Sequence, residues 1–369
     1  MRLQHLGLRD FRNLAQVQID TDAPFVVFHG PNAQGKTNLL EAIYGLATLK
    51  SFRTSRVREL IRWGASEAEV RGEVFDGQLQ RDFRLHVSPQ GRRGEVDGKA
   101  PKALSSYFDG IRAVLFCPED IAIVREGPEL RRRFIDRAAF TASSTFLEVA
   151  WTHKRLLDQK SRLLREGCAD PIQLDVFDEQ LALAGARLVE RRRSLITELT
   201  APFTELHDRI SGHGEATLRY RSCLSGETRQ ELAESYAELL AGSREDERRR
   251  GMNLVGPQRD DLVLRINDRP ARAYASQGQT RSLVLALKLA ELLAARERGA
   301  RPLFLLDDLS SELDRFRTGN LVGLLQELEL QVFVSTTDPG VVLSQAQQDV
   351  LAYAVHAGTV EGAESAGTD

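Results

Sequence analysis

Eight residues constrain this chain more than any others: Gly30-Pro31-Asn32-Ala33-Gln34-Gly35-Lys36-Thr37. They follow Phe25-Val26-Val27-Phe28, a continuous apolar run of the kind found in strands covered on both faces. They open a helical stretch, Asn38 to Leu49. A glycine-rich turn between a buried strand and a helix is the context of a phosphate-binding loop. Gly30 and Gly35 let backbone N–H groups curl around phosphates, and the helix N-terminus adds a favourable dipole. Lys36 is expected to neutralise the β- and γ-phosphates, and the Thr37 hydroxyl to ligate Mg²⁺. The expected cofactors are therefore ATP and Mg²⁺. A chance glycine-rich turn is the alternative, and the remainder of the chain weighs against it.

Leu303-Phe304-Leu305-Leu306 is a second buried strand, ending in Asp307-Asp308. In a nucleoside triphosphatase the first acid at such a strand end holds Mg²⁺. Asp307 takes that part, and Asp308 is the candidate catalytic group that polarises the attacking water. An acid pair capping a following helix would look the same in isolation. Upstream, Ala275-Ser276-Gln277-Gly278-Gln279 precedes another helix. It resembles the signature motif of ATP-binding-cassette ATPases, which implies that Ser276, Gly278 and Gln279 reach the nucleotide of a partner subunit. A plain N-cap serine is the alternative at Ser276. Ser310-Ser311-Glu312-Leu313-Asp314 resembles the D-loop of the same superfamily.

Composition excludes several classes. The chain is 42% hydrophobic and 28% charged, as ordinary globular proteins are. No apolar run approaches the roughly 18 residues of a membrane helix, and the start lacks a signal-peptide core. Cys117, Cys168 and Cys223 form neither a metal-ligand pattern nor a disulfide framework, which fits a reducing cytoplasm. A net charge of −3 gives no support to bulk nucleic-acid binding, so any such surface is local.

Strand alternation marks Ala15/Val17/Ile19, Ala68/Val70/Val74, Phe83/Leu85/Val87 and Leu262/Leu264/Ile266, with a hairpin-like turn at Asp97-Gly98. Val114-Leu115-Phe116 and Val332-Phe333-Val334 read as buried strands, and Ser282 to Arg298 as a helix. Pro128 to about Arg250 is helical in pattern, broken by Pro171, Pro202 and Ser211-Gly212-His213-Gly214 into three or four helices. Leu218, Tyr220 and Leu224 are placed on a short strand between them. No long coiled-coil arm is present. The expected fold is α/β: a P-loop ATPase head of the ATP-binding-cassette type, mixed sheets around a central helix, with a second, mainly helical lobe. The head is assigned to 1–117 and 299–360, the helical lobe with the signature motif to 118–298, and 361–369 to a disordered tail.

The spacing from Thr37 to Ser276 is too long for a compact transporter ATPase and too short for a chromosome-condensing arm. The wording around the motifs resembles the RecF family of bacterial recombination mediators. Phe11-Arg12-Asn13-Leu14, the phosphate loop with Asn38-Leu39-Leu40-Glu41-Ala42-Ile43-Tyr44, and Ser51-Phe52-Arg53-Thr54 carry the resemblance, with Pro118-Glu119-Asp120 and Arg131-Arg132-Arg133-Phe134-Ile135-Asp136. Gly256-Pro257-Gln258-Arg259-Asp260-Asp261, Ala275 through Arg281, Leu305 to Asp314 and Val334-Ser335-Thr336-Thr337-Asp338 continue it. Gln258 departs from an expected His, and the Ser335-Thr336-Thr337 segment offers no His as a γ-phosphate sensor. The resemblance implies an ATP-dependent dimer that binds DNA at gaps and single/double-strand junctions. With RecR and RecO it would help load RecA, supporting replication restart and SOS induction. Arg53 and Arg56 are the favoured DNA or nucleotide contacts. Arg191–Arg193 and Arg248–Arg250 are better read as solvated helix faces. A transporter ATPase subunit and a small-substrate P-loop kinase are the rival classes.

Overall fold

The structure, a computed structural model, describes residues 1–166, 170–212, 214–309, 315–346 and 349–366. Backbone packing divides the chain into two units: Met1–Asp120 with Arg209–Gly212 and Glu291–Asp369, and Ile121–Asp208 with His213–Ala290. The helical unit thus begins at 121 and ends at 290, a few residues inside the limits expected from sequence.

Two sheets build the first unit. One is antiparallel, in the order β2 (Leu14–Asp20), β1 (Arg2–Phe11), β4 (Ala68–Phe75), β5 (Gln80–Ser88), β6 (Gly91–Val96). The other has the order β14 (Thr359–Ala366), β13 (Val350–His356), β3 (Phe25–His29), β12 (Val332–Thr336), β11 (Leu303–Leu306), β7 (Ala113–Phe116). Five of its strands are parallel, and β14 closes one edge antiparallel to β13. Helix α1 (Lys36–Thr48) touches β7, β11 and β12 of one sheet and β1, β4 and β5 of the other. It is buried all round, from Leu39 to Ala47, as a helix between two sheets must be.

Close approach explains Gly72 on β4. A Cβ there would lie 2.5 Å from Leu46 Cδ2 of α1 and 2.7 Å from Leu3 Cδ1 of β1. A side chain would wedge helix and sheet apart.

The second unit carries the helices Pro128–Ala142, Phe146–Glu166 and Arg229–Arg250, most of Pro171–Ser211 and the greater part of Gln277–Glu297. A three-stranded sheet joins them, β10 (Arg269–Pro270), β9 (Asp261–Ile266) and β8 (Ala216–Arg221). Pro202 does not break its helix, contrary to the sequence expectation. Leu199, Phe203 and Leu206 around it are all buried, and that packing offsets the hydrogen bond that proline removes. Leu224 lies past the end of β8. Residues 361–366 are strand rather than disordered tail, because β13 supplies their backbone partners; 367–369 lie outside the described residues. Asp97-Gly98 does turn the chain, closing Val96 onto Lys99, with both turn residues at positive φ.

Gly72→Val is expected to lower the unfolding free energy by about 1–3 kcal/mol through overpacking. Gly242→Ala, in open space within the helix Arg229–Arg250, is expected to raise it by about 1 kcal/mol. Urea denaturation followed by circular dichroism distinguishes the two by opposite shifts of the midpoint.

Candidate functional site

The phosphate loop leaves β3 and turns left-handed three times, with φ of 135° at Gly30, 64° at Ala33 and 121° at Gly35. A Cβ on Gly30 would sit 2.5 Å from the Val355 carbonyl oxygen, so only glycine fits there. No side chain caps α1 at its N-terminus. The N–H groups of Asn38 and Leu39 donate to the Gly35 carbonyl at 3.0 and 3.1 Å, and those of Lys36 and Thr37 at the very start of the helix are the ones an anion would need. Lys36 is 7% exposed, and its Nζ donates to the carbonyls of Gly30 at 2.6 Å and Pro31 at 2.7 Å. Burial lowers the Lys36 pKa, while the nearby Asp308 and Asp307 carboxylates oppose that shift.

Strand order brings the acids to this loop. β12 lies between β3 and β11, with Val334 level with Leu306 and Thr336 level with His29. The loop, Asp307 and Ser335 thus meet at the carboxyl ends of three adjacent parallel strands, where ligands bind in open α/β sheets. The Thr37 hydroxyl donates to Asp307 Oδ1 at 2.9 Å, and the Ser335 hydroxyl donates to the same oxygen at 2.6 Å. The Asp308 N–H donates to Ser335 Oγ at 2.9 Å. Burial raises the pKa of Asp307, opposed by the hydroxyls of Ser335 and Thr37 and reinforced by the charges of Asp308 and Glu119. Asp308 itself takes a positive φ of 55°, a backbone turn that separates its side chain from that of Asp307. The donor set, a hydroxyl beside a buried carboxylate next to an uncapped helix terminus, fits a hydrated Mg²⁺ carried in on a nucleotide phosphate.

Two hairpin turns brace the loop from outside. At the β1–β2 turn, Asn13 Nδ2 donates to the Gln34 carbonyl at 3.0 Å, and Asn38 Nδ2 donates to Asn13 Oδ1 at 2.7 Å. At the β13–β14 turn, the N–H groups of Gly358 and Ala357 donate to the Gln34 backbone and side-chain carbonyls at 2.9 and 2.7 Å. Gly358 has φ of 83°, and a Cβ there would lie 2.4 Å from the Asn13 carbonyl oxygen. The neighbouring Arg12 makes a two-point contact at 2.8 and 2.7 Å with Glu41, a fully buried carboxylate of α1 that also accepts from Ser51.

Arg53 is tied to α1: it donates to Asn38 Oδ1 at 2.8 Å and lies 3.6 Å from Glu41. Arg56 is exposed and, among the described residues, its side chain pairs with Glu59 at 3.4 Å. Ser276 and Gln279 form a reciprocal capping box on the helix Gln277–Glu297. Ser276 is exposed at that terminus, with Gly278 half-buried behind it. Ser310 to Asp314 lie outside the described residues, as does Cys168. Arg131 and Arg192 are buried in ion pairs with Asp261 and Asp136, whereas Arg249 pairs with Asp246 on the surface. Gln258 donates to the Val255 carbonyl within the helical unit. Sequence reasoning missed Ser335, Glu41 and the two bracing turns. Ser335 had a usable signal, since it follows a buried strand that could pair beside Leu303–Leu306.

Residues 2–361 match the model of the RecF/RecN/SMC N-terminal domain family. A DNA replication and repair protein RecF of Geobacter sulfurreducens is 40% identical over 98% of this chain and 99% of its own length. That of an Anaeromyxobacter species is 45% identical over 98% and 99%. Among solved structures, the recombination mediator protein RecF-ATP of the RecFOR pathway superposes with a TM-score of 0.87 at 29% identity, covering 98% of this chain and 99% of that one. An Smc head bound to a winged-helix domain of ScpA, at a TM-score of 0.60 and 16% identity over 100% and 98%, shares the fold. By sequence over nearly its whole length and by structure, this chain belongs to the RecF family.

Proposed function

We propose that this chain is an ATP-dependent DNA-binding protein of recombinational repair and replication restart, in which nucleotide joins two copies into a dimer that grips DNA. The carrying observation is the Thr37–Asp307–Ser335 chain of hydrogen bonds, which ties the phosphate loop to the strand-end acids. Support for the DNA context comes from the names of its relatives, DNA replication and repair proteins, and from RecF-ATP of the RecFOR pathway. On this reading RecO and RecR are its pathway partners, and RecA loading at gaps and junctions is the outcome.

Each residue has a part in this. Gly30 to Gly35 present backbone N–H groups to the phosphates, and Lys36 exchanges its two loop carbonyls for phosphate oxygens. Thr37 and Asp307 would hold Mg²⁺, which when bound would offset the charge on the phosphates. Ser335 keeps Asp307 oriented and fixes the start of Asp308 through its N–H. Asp308 accepts the proton of the attacking water. Ser276, Gly278 and Gln279 face the nucleotide of the other copy, with the Ser276 hydroxyl and the helix N–H groups as donors. Turnover by one such carboxylate in a site completed only on dimerisation is slow, so ATP acts as a switch.

Lys36→Met is expected to weaken MgATP binding by at least about 2 kcal/mol, roughly thirtyfold, because no other loop cation replaces it. Titration of a fluorescent ATP analogue measures this, and parental affinity would refute the role. Asp308→Asn is expected to keep that affinity and slow single-turnover hydrolysis roughly a hundredfold or more. An unchanged rate would assign the water to another group. Ser276→Arg is expected to bind ATP yet remain monomeric in analytical ultracentrifugation with a non-hydrolysable analogue. Its DNA affinity should fall about 5- to 150-fold through the lost linkage. Parental dimerisation by this variant would reduce Ser276 to a helix cap.

A further inference from the structure

Trp63 is 99% exposed, more than any other large apolar side chain described. Its position is fixed by backbone rather than by packing. The Ala65 N–H donates to the Arg62 carbonyl at 3.0 Å, and Gly64 at the turn's third position has φ of 89°. This is the pattern of a type II turn, which needs glycine there and places Trp63 at the tip. The turn is clamped to β1 and the β1–β2 turn: Arg62 N–H donates to the Asp10 carbonyl at 2.8 Å, and Arg12 N–H to the Leu60 carbonyl at 2.9 Å. Leu60 is buried, and Phe52 meets Tyr44 of α1 edge-on with ring centroids 5.6 Å apart. The turn that bears it is thus held in place, while the indole itself, of about 150–250 Å², lies in water with no ring contact among the described residues.

The stretch that carries it is rich in arginine, although Arg53, Arg56 and Arg62 are paired with Glu41, Glu59 and Asp10. From Ser51 to Gly64 the chain carries Arg53, Arg56, Arg58 and Arg62 against the single acid Glu59, although the whole protein has a net charge of −3. Arg58 is exposed and has no ion pair or hydrogen bond from its side chain among the described residues. The arginines of the open face of the antiparallel sheet differ in this respect. Arg71, Arg84 and Arg93 are held by Glu73, Asp82 and Glu95. A flat aromatic on a backbone-fixed turn, five residues along the chain from an unneutralised arginine, suits a ligand with a π-face and a phosphate.

We propose that Trp63 is a stacking platform for an unpaired base of single-stranded DNA, with Arg58 on the adjoining phosphate. This deepens the DNA-binding reading above and rests on it. The platform is wired to the nucleotide site of the same copy. The backbone that holds it also holds the Arg12–Asn13 turn, and Asn13 and Arg53 both bond Asn38, next to Thr37.

The chain has two tryptophans, so Trp151→Phe leaves Trp63 as the sole indole reporter. Trp151 is exposed and, among the described residues, has its one ring contact with Arg155, so its replacement is benign. In that background, with a non-hydrolysable ATP analogue and Mg²⁺, oligothymidine is expected to quench the tryptophan emission. An abasic oligonucleotide of equal charge, and fully paired duplex, are expected not to. Trp63→Ala should weaken oligothymidine binding, read by fluorescence anisotropy, about 5- to 150-fold, and Trp63→Phe should restore most of it. Unchanged affinity in Trp63→Ala, or binding without quenching, overturns the platform while leaving DNA binding intact. Quenching by the ATP analogue alone assigns Trp63 to nucleotide or subunit contact and equally overturns it. Absence of any DNA binding by the parent protein removes the functional reading as well.

Discussion

A single carboxylate oxygen holds this site together. Asp307 Oδ1 accepts from Thr37 at the start of α1 and from Ser335 at the end of β12, two segments far apart in sequence. A carboxylate removed from water needs such donors, or its charge is lost to protonation. Asp307 shows that tension: burial pushes its pKa up and the two hydroxyls hold it down. A divalent cation at that oxygen would offset the cost of burying its charge, and the two hydroxyls can turn their protons away to admit it. The arrangement is therefore poised for a cation without a preformed cage. The same principle recurs in Glu41, the buried acid held by Arg12 and Ser51, which ties α1 to the β1–β2 turn.

Rigidity of the phosphate loop comes from outside it. Gln34 is stitched on one side to the β1–β2 turn through Asn13 and on the other to the β13–β14 turn through Ala357 and Gly358. Gly30 and Gly358 are sterically obligatory at these contacts, since a Cβ on either would strike a backbone carbonyl. The chain's last strands thereby serve its first loop.

The parts legible in sequence are those whose physics is local. Glycines flanking a lysine between a buried strand and a helix announce a phosphate loop, and two acids after an apolar run announce its partner. Buried parallel strands such as Leu303–Leu306 are continuous runs and easily seen. β1 was harder to read. A register shift falls between Leu3 and His5, and the Gln18 side chain covers Gly7, so that Leu6, Gly7 and Leu8 are all buried. β14 carries almost no strand propensity and owes its conformation to pairing with β13. Pro202 misled in the opposite direction, because the packing of Leu199, Phe203 and Leu206 outweighs a local breaker. The roles of Ser335 and Asn13 at the site follow from strand order and turns, which put Ser335 beside the end of β11 and Asn13 against Gln34. Their roles depend on neighbours hundreds of residues away or across a turn.

The central claim is that Thr37 and Asp307 act as one metal-holding pair at the phosphate loop. Isothermal titration of ATP, with Mg²⁺ and with a chelator, across Thr37→Val, Asp307→Asn and the double variant tests it directly. The account predicts that either change removes the Mg²⁺-dependent part of the affinity while binding in chelator persists. The double variant should then lose little more than either single one, as coupled neighbours do. Full Mg²⁺ dependence in either single variant, or losses that simply add, would contradict it.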